Sequence, residues 1–385
     1  MTAGAEARIR LGMVGGGQGA FIGEVHRFAA RLDDAYEFCA GALSSDPERA
    51  LDSARALGLA EDRAYSGYEA MAAGEAARDD GIEAVAIVTP NHMHYPVAKV
   101  FLERGFHVIC DKPFTITSDE SRELIALAKQ HDRILAVTYN YTGYPLVRHA
   151  RDMVARGELG EIRVVNAEYV QDWLASPLEQ SGQKQAEWRT DPARSGAGGS
   201  IGDIGTHAYH LASFVTGMKP VALCAELSTA VEGRRLDDNA HLMLRYQNGA
   251  KGLLWASQVA VGNENNIRLR VYGDKGGLSW RQESPNQLEF ARIGEAPQII
   301  TRGSPGVSDA ASRVTRIPSG HPEGYLEAFA NIYSDVAATI RARKSGDPVG
   351  AGVTFPGGED GLSGVEFIEA AVRSSTGGAV WVDLD

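Results

Sequence analysis

The apolar run 9–14 passes directly into Gly15-Gly16-Gly17-Gln18-Gly19-Ala20, and beyond it Phe21, Val25, Phe28 and Leu32 recur at a helical period. Strand, glycine loop and helix in that order restrict the fold more than any other stretch of the chain. Gly15, Gly17 and Ala20 fit the pattern G-x-G-x-x-A, with Gln18 and Gly19 inside it. Gly15 permits the tight turn, Gly17 lets bare backbone approach a pyrophosphate, and Ala20 lets the helix pack close to the strand. The helix N-terminus then faces the anion.

The alternation continues. Strands are expected at 37–43, 84–88, 107–110 and 134–138, separated by helices near 46–57, 68–77, 95–104 and 118–131. Such alternation predicts a parallel sheet with helices on both faces, whose ligands lie beyond the carboxyl ends of the strands. Those ends carry Ser44 and Ser45, then Thr89, Asn91, His92 and His94, then Asp111 and Lys112, and finally Asn140 and Tyr141. A dinucleotide fold usually ends its second strand with an acid that holds the adenosine ribose. Ser44 stands there, with Arg49 near enough to help a 2′-phosphate and Asp46 placed to repel one, so NAD and NADP both stay open. Lys112, fixed by Pro113 behind it, suits binding of a substrate hydroxyl or assistance in proton removal. His92 and His94 lack a third convergent ligand, and no metal site is expected.

From Gly143 the pattern changes. A helix near 144–156 and a strand at 162–171 precede a polar, irregular segment, 172–199, that contains Trp173, Trp188 and Arg189. Aromatic faces stack on sugar rings and an arginine donates to several hydroxyls, although tryptophans also cap sheets. In the next helix Asp203 and His207 are four apart, which places a carboxylate and an imidazole on one face as a proton-transfer pair. Glycines 198, 199, 202 and 205 leave backbone without side chains beside this pair, room for a bulky ring. Alternating runs at 222–229, 240–246, 251–261, 267–272 and 276–280 predict antiparallel strands, followed by a long loop at 303–320, helices at 325–343 and 361–374 and a last strand at 379–382. The expected organisation is therefore a dinucleotide-binding domain, residues 1–142, and an α+β domain, residues 143–385, with a large, mainly antiparallel open sheet.

Over 385 residues the net charge of −12 is spread without long single-sign runs, which argues against nucleic-acid or anionic-lipid partners. Three widely spaced cysteines, no apolar signal core and no membrane-length apolar run fit a reduced, cytoplasmic protein.

Several motifs in fixed order resemble the Gfo/Idh/MocA oxidoreductases, a family that includes glucose–fructose oxidoreductase and inositol dehydrogenases. They are V-G-G-G-Q-G-A at the start, T-P-N-H-x-H at 89–94, D-K-P at 111–113, W-R at 188–189 and G-G-x-x-x-D-x-G-x-H at 198–207. The family's usual E-K-P is D-K-P here, with Lys112 in register. The resemblance implies a catalytic trio of Lys112, Asp203 and His207 and substrate contacts supplied by the second domain, for which Tyr141, Trp173, Trp188 and Arg189 are the candidates. It also implies bound NAD, with NADP left open, and a homo-oligomer, dimer or tetramer, formed through the second domain's sheet. The expected reaction is oxidation of a secondary hydroxyl on a sugar, glycoside or inositol-like polyol, with His207 as general base. The alternative is a redox-mediated glycosidase or lyase that works through a transient keto-sugar on bound NAD. A non-enzymatic sensor is a third reading, against which the intact trio argues.

Overall fold

The computed structural model describes residues 7–384, which form two compact units. The first takes in the chain to Thr115, Asp119–Asn140 and Leu326–Gly361; the second takes in Ile116–Ser118, Tyr141–Tyr325 and the chain from Leu362.

The early part of the chain runs β1 (Ile9–Gly15), α1 (Phe21–Leu32), β2 (Tyr36–Ala42), α2 (Pro47–Ala56), α3 (Tyr68–Ala76), β3 (Ala84–Val88), α4 (His94–Glu103), β4 (His107–Cys110), α5 (Ser118–Gln130) and β5 (Leu135–Val137). Its five strands pair in parallel in the order β2-β1-β3-β4-β5. Every residue of β3 and β4 is buried, as expected of strands covered on both faces. The direction of winding reverses between β1 and β3. A ligand of this sheet therefore belongs at the carboxyl ends of those two strands, where the glycine loop and Thr89 stand.

The rest of the chain adds α6 (Pro145–Ala155), β6 (Ile162–Val170), α7 (Lys184–Arg189), α8 (Pro192–Ser195), a π-helical turn (Ile201–Gly205), α9 (Thr206–Thr216) and seven strands, β7 (Pro220–Ser228), β8 (Asn239–Tyr246), β9 (Lys251–Ser257), β10 (Asn266–Gly273), β11 (Gly276–Arg281), β12 (Gln287–Arg292) and β13 (Gln298–Thr301). It closes with α10 (Asp309–Arg313), α11 (Tyr325–Ser345), α12 (Gly358–Thr376) and β14 (Val382–Asp383). The second sheet has nine strands in the order β13-β12-β11-β10-β6-β9-β8-β7-β14, and only the β6–β9 pair is parallel. In β8 the buried Ala240, Leu242, Leu244 and Tyr246 alternate with His241, Met243 and Arg245, which are exposed on the opposite face.

Several expectations change. The irregular segment 172–199 contains the short helices α7 and α8, and the loop 303–320 contains α10. Strands β12 and β13 lie at one side of the second sheet and are not among the expected strands, although in β12 the buried Leu288 and Phe290 alternate with the exposed Gln287 and Glu289; β13 is only four residues long. Strand β9 stops at Ser257, short of the expected residue 261, although Ser257 O still accepts from Gln171 N and the Gln258 amide donates to Asp238 O, one residue beyond the paired strands. The helical stretch Leu326–Gly361 packs in the first unit, although it follows the second sheet in sequence. Tyr333 of α11 explains this: its phenol meets His26 Nδ1 of α1 at 2.8 Å, and its carbonyl accepts from the Tyr36 hydroxyl at 2.9 Å. No helix among the described residues is long and apolar enough to cross a membrane.

Two histidines of the first unit make it acid-sensitive. Burial lowers the pKa of His26 to about 4, and burial together with Arg133 and Arg343 does the same to His107. Both rings are neutral in the fold and take up a proton near pH 6.5 once unfolded. Their stabilising contribution is complete above about pH 6.5 and disappears as pH falls through 4, a loss of up to about 3 kcal/mol each. The thermal midpoint is expected to drop by several degrees between pH 7 and pH 4.5, with a flatter curve for His107→Asn; a wild-type midpoint constant over that range contradicts the assignment.

Candidate active site

The glycine loop of the first unit is held from below and open above. The Gly17 amide donates to Leu43 O at 3.1 Å and the Gln18 amide to Ser53 Oγ at 3.1 Å, which ties the loop to the end of β2 and to α2. Gly15 has φ +80°, and a Cβ there would lie 2.8 Å from Val88 O; a Cβ on Gly17 would lie 2.5 Å from Leu43 O. Gly19 has φ +78° and faces open space. Ala20 is the N-cap of α1 and offers no side-chain acceptor, whereas Asp46 caps α2 by accepting from Arg49 N. The first-turn amides of α1 thus lack the partner that most helix starts carry, which suits them to an external anion.

The close approach assigned to Ala20 is made by Gly23 instead. A Cβ on Gly23 would lie 2.3 Å from Gly16 O and 2.4 Å from Gly16 Cα, so α1 leans on the loop one turn later than the motif implies.

Around this loop stand the tips of the other strands. Ser44 Oγ accepts from Asp46 N, while Ser45 and Arg49 are exposed, Arg49 without an ion pair among the described residues. His94 is buried between two turns, with Nδ1 2.8 Å from Pro113 O and Nε2 2.9 Å from Thr89 O; burial lowers its pKa. It joins the tip of β3 to the tip of β4. Asp111 Oδ1 accepts from Lys112 N at 2.8 Å and from Thr138 Oγ1 at 3.0 Å, so the carboxylate before Lys112 fixes the turn that presents the lysine. Asn91 is buried. Thr89 Oγ1 and Asn140 Nδ2 are buried and meet no partner among the described residues. Unsatisfied buried polar atoms are costly, and these two sit where a dinucleotide belongs. The residues present therefore fit that cofactor.

In the second unit Asp203 and His207 do not share a regular helix. Asp203 lies in the π-helical turn and His207 in the first turn of α9, a widening of the kind often found at functional positions. The turn is anchored by Asp237, whose buried carboxylate accepts from Gly199 N, Ser200 Oγ and Ile201 N at 2.7–2.8 Å. Burial raises the pKa of Asp237. Asp237 is thus a clamp on the turn. The glycines here serve packing more than vacancy. A Cβ on Gly199 would lie 2.0 Å from Asp237 O, and those on Gly198 and Gly205 would strike Ile201 at 2.6 and 2.7 Å; only Gly202 faces open space.

Asp203 Oδ2 accepts from Gln258 Nε2 at 2.8 Å and from Arg189 Nε at 3.2 Å. The Arg189 guanidinium lies 4.3 Å from the centre of the Trp188 ring and 6.0 Å from that of Trp173. Trp173, Trp188, Arg189 and Asp203 are thereby brought together, all half-buried. His207 is buried and meets the Tyr141 ring edge-on, 4.9 Å between centres and 79° between planes. Tyr141 is fixed by a small circuit: its hydroxyl lies 2.6 Å from that of Tyr169, which donates to Asn265 Oδ1 at 2.7 Å, and Asn265 Nδ2 returns toward Tyr141 at 3.4 Å. Burial pushes the Tyr141 phenol up to about 12, so it stays protonated as a donor. Gln171 Nε2 joins the circuit through Asn265 at 2.6 Å. Tyr169, Gln171, Gln258 and Asn265 escape the sequence reading; they stand at or just beyond the ends of β6, β9 and β10, where no spacing singles them out. No group of three His, Cys, Asp or Glu side chains among the described residues is placed to hold a metal ion.

Residues 9–139 match the model of an oxidoreductase family with an NAD-binding Rossmann fold, GFO/IDH/MocA, and residues 147–279 match the GFO/IDH/MocA C-terminal domain. A solved oxidoreductase from Sinorhizobium meliloti is 51% identical with a TM-score of 0.89, covering 98% of this chain and 100% of its own. An inositol dehydrogenase homolog from Azotobacter vinelandii, solved with NADH and myo-inositol, is 37% identical with a TM-score of 0.93 over 98% of both chains. Levoglucosan dehydrogenase of Pseudarthrobacter phenanthrenivorans is 29% identical over 74% of this chain and 76% of its own length.

Proposed function

Since the chain belongs to the Gfo/Idh/MocA family of NAD-binding oxidoreductases, we propose that it oxidises a secondary hydroxyl of an inositol-like polyol, a sugar or a glycoside, with His207 as general base. The observation that carries this reading is the cluster in the second unit, where a carboxylate, a guanidinium and two indole rings gather at Asp203, one helical turn from a buried imidazole. Aromatic faces and fixed charged donors suit a ring bearing several hydroxyls. The myo-inositol and levoglucosan named for the relatives are compounds of that class.

Each residue then has a task. His207 takes the hydroxyl proton, since an imidazole works near neutral pH. Lys112, at the tip of β4, is assigned the binding of a substrate hydroxyl and the stabilising of developing alkoxide charge. Asp203, held by Gln258 and Arg189, keeps an oxygen in place for a neighbouring hydroxyl and orients the imidazole. Thr89, Asn91, Asn140 and the uncapped amides of α1 hold the dinucleotide, with Ser44 toward its adenosine ribose, while His94, both of whose ring nitrogens are engaged, positions the turns that carry Thr89 and Pro113. Bound NAD supplies the hydride acceptor. With Ser44 in the usual place of the acid, use of NADP belongs to the same test.

Purified protein incubated with NAD or NADP and a panel of inositols, anhydrosugars, pyranoses and glycosides, with reduced cofactor and released sugar followed together, tests the reading. Reduced cofactor without sugar release supports a dehydrogenase. Sugar release without net reduced cofactor replaces it with the redox-mediated glycosidase.

The outward face of the second sheet is read as the contact between two copies of the chain. Met243 and Leu253 are 48% and 56% exposed side by side on β8 and β9, and Val164 and Tyr272 extend the apolar area over β6 and β10. Between them Asn166 Oδ1 and Arg270 Nε are buried without a partner among the described residues. A contiguous exposed apolar patch of this kind marks a surface that another protein chain covers. Sedimentation velocity is expected to give at least a dimer for the wild type and a monomer for Leu253→Glu; a wild-type monomer contradicts it.

A further inference from the structure

One buried charge takes no part in the proposed oxidation. Arg27, in the second turn of α1, is 9% exposed. Its Nη1 donates to Gly16 O at 2.7 Å and touches Met13 Sδ at 3.6 Å. No carboxylate among the described residues forms an ion pair with it; Glu24, one turn earlier, is exposed and acts on it only through space. Burial lowers its pKa and outweighs the attraction of Glu24, so the guanidinium is short of solvent and has no carboxylate in direct contact. An unpaired buried ion is expensive, and an apolar side chain of similar length fills such a space at lower cost. A charge in this position needs an anion to account for it.

Its place in the loop indicates which one. Helical side chains lean toward the helix N-terminus, so this guanidinium reaches back under the glycine loop at the uncapped start of α1. The Gly16–Gly17 peptide is gripped from both sides, its carbonyl by Arg27 and its amide by Leu43 O. Because carbonyl and amide of one trans peptide point in opposite directions, these two bonds fix the plane of the loop at its tightest point. We propose that Arg27 is a positioning residue for the dinucleotide, locking the Gly16–Gly17 peptide and supplying, beneath the loop, the positive charge that the bound pyrophosphate balances. The assignment rests on the reading of this loop as the NAD site. It makes Arg27 a determinant of affinity for the diphosphate and leaves the adenosine and nicotinamide ends to other residues.

The test compares wild type, R27M and R27Q in titrations with NAD, with ADP-ribose, which keeps the diphosphate but lacks nicotinamide, and with adenosine, which has neither, alongside thermal unfolding of the ligand-free proteins. R27M is expected to weaken NAD and ADP-ribose about tenfold or more, to change adenosine binding less than twofold, and to leave the ligand-free midpoint unchanged or higher. R27Q keeps a donor for Gly16 O without the charge and is expected to lose affinity for NAD and ADP-ribose in the same order. Equal losses for adenosine and ADP-ribose overturn the proposal, as does wild-type affinity in R27Q, or a lowered ligand-free midpoint with unchanged NAD affinity. If R27M does not fold, R27Q decides alone. Wild-type protein that binds neither NAD nor ADP-ribose refutes the cofactor site itself, a result distinct from failure of the Arg27 assignment.

Discussion

His207→Ala is expected to lower turnover by about 10²–10⁴-fold, the usual contribution of a positioned acid or base, while leaving NAD affinity within about twofold. The imidazole is buried and set edge-on against Tyr141, whose own hydroxyl is tied to Tyr169 and Asn265. Its orientation is therefore decided before substrate arrives. The alanine variant removes the proton acceptor and leaves the dinucleotide loop of the first unit untouched, so the loss belongs in kcat and not in cofactor binding. Steady-state kinetics on a confirmed substrate, with NAD titrated separately, measures both. Near wild-type turnover removes His207 from the mechanism.

Gly23→Ala is the second large effect, and its sign decides between two opposing terms. Alanine inside a helix is ordinarily favoured over glycine by about 1 kcal/mol. Here the new methyl would lie 2.3 Å from Gly16 O and 2.4 Å from Gly16 Cα, both backbone atoms that cannot swing aside. Overpacking of that kind costs about 1–3 kcal/mol or more. Collision outweighs propensity, α1 moves off the loop, and the bond from Arg27 to Gly16 O is disturbed with it. The ligand-free protein is expected to lose about 2 kcal/mol and NAD affinity to fall about tenfold, equivalent to about 1.4 kcal/mol. Thermal unfolding and NAD titration check the two halves; a stabilised variant with wild-type affinity shows that the helix does not lean on the loop.

The contrast between Ala20 and Gly23 shows where sequence reading stops. A strand, a glycine loop and a helix are local patterns, and the parallel sheet, the loop and the strand-tip residues follow from period and composition. Which residue of α1 touches the loop depends on the docking angle of the helix, and no spacing encodes that. The same holds for Asp203. Its proximity to His207 in sequence is legible, but the π-helical turn is imposed by Asp237, 34 residues beyond Asp203 and brought back by a strand. The Tyr141–Tyr169–Asn265 circuit joins residues up to 124 apart, each unremarkable in its own neighbourhood. Helix α11 reads correctly as a helix, yet its place in the first unit rests on Tyr333 meeting His26 across 307 residues. Local chemistry is written in the sequence, whereas long-range hydrogen bonding decides which local pieces become one site.

The claim at the centre of this account is direct hydride transfer from a carbinol carbon. It is tested by supplying a polyol that supports turnover with deuterium on the carbon bearing the reacting hydroxyl, then analysing cofactor and product together. One deuterium is expected in each reduced nicotinamide with one equivalent of ketone, both forming about 10²–10⁴-fold more slowly in His207→Ala. Deuterium returned to a cleaved sugar product with no net reduced NAD, or washed out into water, contradicts it.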